Sequence, residues 1–191
     1  YGDLLVGAPY ALGSQGKAYL YLGGPSFISG SIAAWVTSGT SSAKLGYAVS
    51  SGGDLDGDGM VDVAIGSPNV NCGGSRRGEV HIYSGTTILS GGVPWVIQGT
   101  IDGGFLGSKL KGNIDMDGDG VDDLLMSMYP WTAPPPDGEV WVFRGGLPFS
   151  TVPWITYSRP GEEVFGLGIE RVDLNGDGFG DVIVGSPTAD G

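Results

Sequence analysis

Three acidic stretches recur in one register, and they restrict the fold of this chain more than any other feature. The first reads Asp54-Leu-Asp56-Gly-Asp58-Gly-Met60-Val-Asp62, and the second Asp115-Met-Asp117-Gly-Asp119-Gly-Val121-Asp122-Asp123. The third reads Asp173-Leu-Asn175-Gly-Asp177-Gly-Phe179-Gly-Asp181. Their first aspartates lie 61 and 58 residues apart. Leu45-Gly46, Leu106-Gly107 and Phe165-Gly166 precede them by eight or nine residues. Gly66-Ser67-Pro68 and Gly185-Ser186-Pro187 follow two of them, while Ser127-Met128-Tyr129-Pro130 stands in their place in the middle repeat. Trp35, Trp95 and Trp154 keep the same spacing. A repeat of about 60 residues predicts a propeller, a solenoid or an array.

Each repeat reads as short β segments. Tyr47–Ser50, Val61–Ile65, Glu79–Tyr83 and Trp95–Gln98 are expected strands, the third alternating Val80 and Ile82 with Glu79, His81 and Tyr83. Glycine-rich turns separate them, and no ten-residue stretch carries a helical period free of Gly or Pro. Four antiparallel strands repeated radially make a propeller blade, so the expected class is all-β, a partial β-propeller of about three blades with cation-binding loops. The register divides the chain into residues 1–44 (strands two to four of a first blade), 45–104, 105–163, and 164–191 (strands one and two of a further blade). Tyr1-Gly-Asp3 aligns with Phe179-Gly-Asp181, so the chain is expected to open inside another acidic loop and to be a segment of a longer propeller.

Composition narrows the function. Nine Lys and Arg against 21 Asp and Glu give a net charge of −12, which disfavours binding to nucleic-acid phosphates. No apolar run reaches the ~18 residues of a membrane helix. Cys72 is the one cysteine and His81 the one histidine, which leaves no internal disulfide, no multi-Cys zinc site and little room for His-based catalysis. Cys72 is expected to be a free thiol and His81 a structural strand residue.

The acidic loops carry the strongest chemistry. Carboxylates at positions 1, 3 and 5 converge when the chain curls, and Gly at position 6 permits the curl. Such a set suits a hard cation with oxygen ligands, a backbone carbonyl at position 7 completing it. An EF-hand closes with Glu at position 12, but Ile65, Met126 and Val184 stand there. The closing acid is at position 9 instead: Asp62, Asp123 and Asp181. A β-prone run follows it, not a helix.

This series of Phe-Gly, Asp-x-Asp-x-Asp-Gly-x-x-Asp, Gly-Ala-Pro and Gly-x-Val-x-x-Phe motifs resembles the FG-GAP repeats of integrin α-subunit propellers and their bacterial relatives. The resemblance covers essentially the whole chain and implies about three calcium ions, one per loop, in the turn between the first and second strands. Carried over by position, the ligands are Asp54, Asp56, Asp58, Met60 (carbonyl) and Asp62; then Asp115, Asp117, Asp119, Val121 (carbonyl) and Asp123. The third set is Asp173, Asn175, Asp177, Phe179 (carbonyl) and Asp181. Asp3 stands alone as a position-9 acid.

The turns between second and third strands lie on the opposite face in such propellers, where partners dock. Tyr129 and Trp131 in one of them, and Arg76 and Arg77 in the other, are therefore the expected protein-binding residues. The resemblance implies a non-enzymatic, calcium-stabilised interaction or adhesion module, extracellular, at the cell surface or periplasmic, with no membrane insertion. Self-association through open blade edges is a further expectation, since about three blades leave strand edges unpaired. An alternative is an accessory propeller domain of an extracellular hydrolase such as a phospholipase.

Overall fold

The computed structural model describes residues 1–25, 33–130, 137–161 and 164–187. It is all-β, and the described residues form thirteen strands in four antiparallel sheets. The first sheet joins β1 (Leu4–Ala8), β2 (Lys17–Tyr21) and β3 (Trp35–Ser38). The second runs β4 (Val49–Gly53), β5 (Asp62–Ser67), β6 (Glu79–Tyr83) and β7 (Trp95–Gln98), each strand paired with the next. The third repeats that meander with β8 (Lys109–Ile114), β9 (Asp123–Met128), β10 (Glu139–Phe143) and β11 (Ile155–Ser158). The last pairs β12 (Gly168–Val172) with β13 (Asp181–Gly185). These are propeller blades in an open stack. Among the described residues, helix is confined to one turn at Ala11–Ser14, whose Leu12 and Gly13 are left-handed, and a 3₁₀ turn at Ile88–Ser90.

The core lies between sheets. Alternate residues of one strand point to opposite neighbours, the period of two that a strand imposes. In β5, Val63 and Ile65 join Leu20 and Leu45 toward the first sheet, while Ala64 joins Leu106 and Met126 toward the third. In β9, Leu124 and Met126 face the second sheet and Leu125 faces the fourth, with Phe165 and Ile169. A strand buried on both faces needs apolar residues at successive positions, which is why these segments read as continuous apolar runs. Two of the three recurring tryptophans stitch the same seams. Trp35 meets the edge of Tyr83 at 4.8 Å and Trp95 stacks on Phe149 at 5.9 Å, each reaching the next sheet.

Backbone contacts set the blade spacing. Gly7 lies against Gly46 and Gly66 against Gly107; a Cβ on Gly7 or Gly66 would sit 2.0 Å from the opposing carbonyl oxygen. In the third blade Ser127 takes the place of Gly66, and the gap to Gly166 is wider: a Cβ built there would lie 3.3 Å from that of Ser127. Parallel bridges Gly16–Leu45 and Gly78–Leu106 tie neighbouring sheets at the other end of the seam.

Two strands differ from expectation at their starts. The first strand of the second blade begins at Val49 rather than Tyr47, because Lys44 and Gly46 are left-handed and the Tyr47 N–H closes a turn onto the Lys44 carbonyl at 3.1 Å. The second begins at Asp62 and extends to Ser67. Trp154 stands just before its strand and is 42% exposed, where Trp35 and Trp95 begin theirs and are half-buried.

Candidate metal centres

Each acidic loop bridges the first and second strands of its blade, β4 to β5, β8 to β9 and β12 to β13. Its curl rests on glycines at positions 4 and 6. Gly57 and Gly59 have φ of 78° and 87°, and Gly118 and Gly120 have the same values. The side chains then brace the turn from inside. Asp56 Oδ1 accepts the Asp58 N–H at 3.1 Å, and Asp58 Oδ1 the Met60 N–H at 2.9 Å. Asp54 Oδ2 accepts the Gly59 N–H at 2.9 Å. Asp115, Asp117 and Asp119 repeat this pattern, as do Asp173, Asn175 and Asp177.

Position 9 is a different kind of residue. Asp62 and Asp123 are fully buried. One oxygen of Asp62 accepts the Leu55 N–H at 2.9 Å and the other the Gly85 N–H at 2.8 Å. Asp123 does the same with Met116 and Gly145, at 2.8 and 2.9 Å. Asp3 accepts from Gly23 at 2.7 Å, and Asp181 from Leu174 at 2.9 Å. The position-9 carboxylate thus fastens the acidic loop to the turn after the third strand. Burial, only partly offset by these N–H groups, pushes Asp62 and Asp123 up to about 6.

The ligand-bearing side chains meet in two loops. Carboxylate oxygens of Asp54, Asp56 and Asp58 lie within 4.8 Å of one another, and so do those of Asp115, Asp117 and Asp123. Asp54 Oδ1 and Asp117 Oδ2 are buried there without a hydrogen bond. Carboxylate oxygens crowded together, with buried lone pairs unsatisfied, fit a hard divalent cation and little else. The third loop is looser. Asp173, Asn175, Asp177 and Phe179 are exposed, the Asn175 amide donates to Asp177 Oδ2 at 2.9 Å, and no third close acidic group forms among the described residues.

Successive loops are also joined. The Asp54 carbonyl accepts the Asp122 N–H at 3.0 Å, and Asp122 Oδ2 accepts the Asp54 N–H at 2.9 Å. The Asp115 carbonyl accepts the Gly180 N–H at 2.9 Å. Position-7 side chains cover the preceding loop, Phe179 lying over Gly118 and Val121 against Gly57. Each loop is therefore covered by the one after it, and the third, which no described loop covers, is the exposed one.

Sequence reasoning missed several participants. Gly85 and Gly145, the partners of position 9, recur with the repeat and were detectable from their spacing alone. Thr86, whose hydroxyl donates to Asp58 Oδ2, and Arg144, in contact with Asp117, do not recur and left no such signal.

The expected partner-binding residues fare unevenly. Tyr129 is 4% exposed and belongs to the blade interior, a correction to its reading as a surface anchor: it continues the buried run of β9. Trp131 lies outside the described residues. Arg77 is held by Asp102 through a 2.6 Å contact, while Arg76 is exposed in a left-handed turn with its N–H donated to Asn71. His81 is a structural residue paired with Glu79 at 2.8 Å, and Trp141 makes the matching contact with Glu139 at 2.6 Å. Cys72 is a half-buried free thiol near the Gly78 carbonyl, raised by burial.

Four-stranded antiparallel blades with an Asp-x-Asp/Asn-x-Asp-Gly-x-x-Asp loop after the first strand define a β-propeller segment of the acidic-loop type. The FG-GAP repeat family model matches residues 45–83 and 165–191, and the chain is built of FG-GAP repeats of the integrin α kind. Over 158 residues it is 35% identical to integrin alpha-PS2 of Drosophila melanogaster, covering 75% of this chain and 10% of that protein. It is 34% identical to human integrin alpha-7 over 137 residues, 69% of this chain and 11% of that one. It is 34% identical to mouse integrin alpha-8 over 157 residues, 74% and 14% respectively. The chain thus spans about a tenth of the length of these relatives.

The raised carboxylates yield a pH prediction. A proton must leave Asp62 or Asp123 before that carboxylate can serve a cation. Since both titrate near 6, calcium affinity should fall as pH drops through that value. In metal-free protein the sign reverses for these two groups. Their contribution to stability is fully present below the ordinary carboxylate pKa and is lost as pH rises through about 6. Calcium titration calorimetry from about pH 7.5 to about pH 5 checks the first trend. Flat affinity over that range contradicts it.

Proposed function

We propose that this chain is a calcium-stabilised propeller segment serving protein interaction or adhesion outside the cytoplasm, with no catalytic step of its own. One observation carries the reading. Two acidic loops each gather three carboxylates at a single point, one oxygen in each buried without a hydrogen bond, and the same loops are hydrogen-bonded to the neighbouring blade. A cation there neutralises like charges that otherwise repel at short range, and it stiffens the joint between sheets. The ligand sets are Asp54, Asp56, Asp58 and Asp62 with the Met60 carbonyl, then Asp115, Asp117, Asp119 and Asp123 with that of Val121. In the exposed third loop, Asp173, Asn175, Asp177 and Asp181 with the Phe179 carbonyl make a weaker site, because an amide replaces one charge. The position-9 acids, already holding two N–H groups each, serve the metal and the backbone together.

The extracellular setting follows from the affinity such loops have in extracellular modules, where millimolar calcium fills them. Integrin α relatives favour adhesion over the alternative of a hydrolase accessory domain. Among the described residues no helix is long and apolar enough to cross a membrane. Arg76 is the exposed residue we assign to partner contact.

Thermal unfolding with calcium and with chelator tests the core of the reading. Each site filled to 100 times its Kd stabilises by about 2.7 kcal/mol, so chelation should lower Tm by ~10 °C or more. An unchanged Tm removes the structural role of the metal.

A further inference from the structure

The second acidic loop has a cation of its own. Arg144, the residue after β10, places its Nε in ion-pair contact with Oδ2 of Asp117. Asp117 Oδ1 is already committed to the Asp119 N–H at 3.1 Å, so Oδ2 is the oxygen left to serve a metal at position 3. That oxygen is buried and no N–H of the arginine is aligned on it as a hydrogen bond. The contact is one of charge, and the guanidinium occupies the approach to the oxygen that a metal would need. Asp117 is 11% exposed and Arg144 48%, so the guanidinium enters from the solvent side. Its carbon also lies 4.5 Å from the centre of the Trp154 ring.

Among the described residues, the other loops hold no such ion pair. At the register of Arg144 the second blade carries Ser84, and the hydroxyl of Thr86 sits on Asp58 instead. In the third loop it is the Asn175 amide that donates to Asp177. Among the described residues, then, three loops of one motif have three different internal partners on a ligand oxygen. One of the three is a full positive charge.

We propose that Arg144 is a built-in counter-cation of the second loop. It neutralises Asp117 when calcium is absent, must yield that oxygen when calcium enters, and so sets the affinity of this loop below that of the first. Trp154 already holds the guanidinium from its other side, so the indole reports any movement of Arg144 away from Asp117. The consequence is a graded array. The first loop fills early and depends wholly on the metal for neutralisation, while the second fills late and keeps its shape longer under chelation. This rests on the calcium reading above, and the test separates the two.

The experiment is a calcium titration of the whole chain followed by amide resonances of Gly59, Gly120 and Gly178, one per loop, and by the indole resonance of Trp154. In the unaltered chain Gly120 should move at higher calcium than Gly59, and the Trp154 indole should move with Gly120. Arg144→Met should tighten the second site by roughly twofold to fivefold, the order of a partly exposed ion pair that no longer has to be broken, and leave the first unchanged. Ser84→Arg, which installs the charge in the second blade, should weaken the first site by a similar factor. Unchanged affinities in both variants overturn the role of Arg144 while leaving the calcium reading intact. Absence of calcium-dependent shifts at all three glycines overturns both.

Discussion

Asp62→Ala should cost the chain about 3–5 kcal/mol in calcium and markedly less in chelator. The difference arises because this carboxylate does two things. It holds the Leu55 and Gly85 N–H groups in the protein interior, and each buried donor left unpaired costs about 1–3 kcal/mol. In the proposed calcium site it also completes the cation set of the first loop, and losing that site would remove the stabilisation that ligand binding supplies. Without metal, the cost of burying a charge already works against the native state. The wild-type carboxyl is pushed up to about 6, so at neutral pH its removal relieves part of what the lost hydrogen bonds cost. In calcium no such relief applies. For a chain of this size the calcium-form loss corresponds to a Tm drop of ~10 °C. Paired melting curves of wild type and variant read both numbers, and equal losses with and without calcium would reduce Asp62 to a backbone brace.

Gly66→Ala is the second large effect. Gly66 has an ordinary strand backbone, so the penalty is purely steric. A Cβ there would lie 2.0 Å from the Gly107 oxygen, 2.9 Å from its carbonyl carbon and 3.1 Å from its Cα. Backbone faces backbone, and no rotamer offers escape. The second and third blades must part, which opens the cluster in which Ala64, Val80 and Ile82 meet Leu106, Met126 and Phe143. The cost should be about 3 kcal/mol or more, at the upper end of what overpacking produces. Ser127→Gly at the equivalent site of the third blade should cost under about 1 kcal/mol, because that seam is already spaced for a side chain. Urea unfolding midpoints of the two variants decide it. Equal effects would mean that glycine at this register is not what sets blade spacing.

These two sites also mark how far sequence carries. The repeat, the all-β class, the strands Glu79–Tyr83 and Trp95–Gln98 and the clustering of aspartates in the loops are all local. Spacing and alternation suffice to find them. What the sequence hid depends on residues brought together from afar. Asp54 and Asp122 exchange hydrogen bonds across 68 residues, and Thr86 reaches Asp58 across 28. Neither Thr86 nor Arg144 repeats with the motif, so periodicity is blind to both. Tyr129 misled for a related reason. Its neighbour Pro130 signals a turn, yet the preceding strand is buried on both faces and carries the tyrosine inside with it. The displaced start of β4 follows from left-handed Lys44, a conformation that residue type does not announce.

The claim on which the rest depends is that a metal ion sits at the centre of each acidic bend. A crystal structure grown in millimolar calcium and phased with data sensitive to its anomalous scattering tests this directly. The account predicts a peak ringed by Asp54, Asp56, Asp58, Asp62 and the Met60 carbonyl. A second should lie among Asp115, Asp117, Asp119 and Asp123 with Arg144 turned away, and a weaker third beside Asn175. Water alone at these points, with Arg144 still on Asp117, would contradict it.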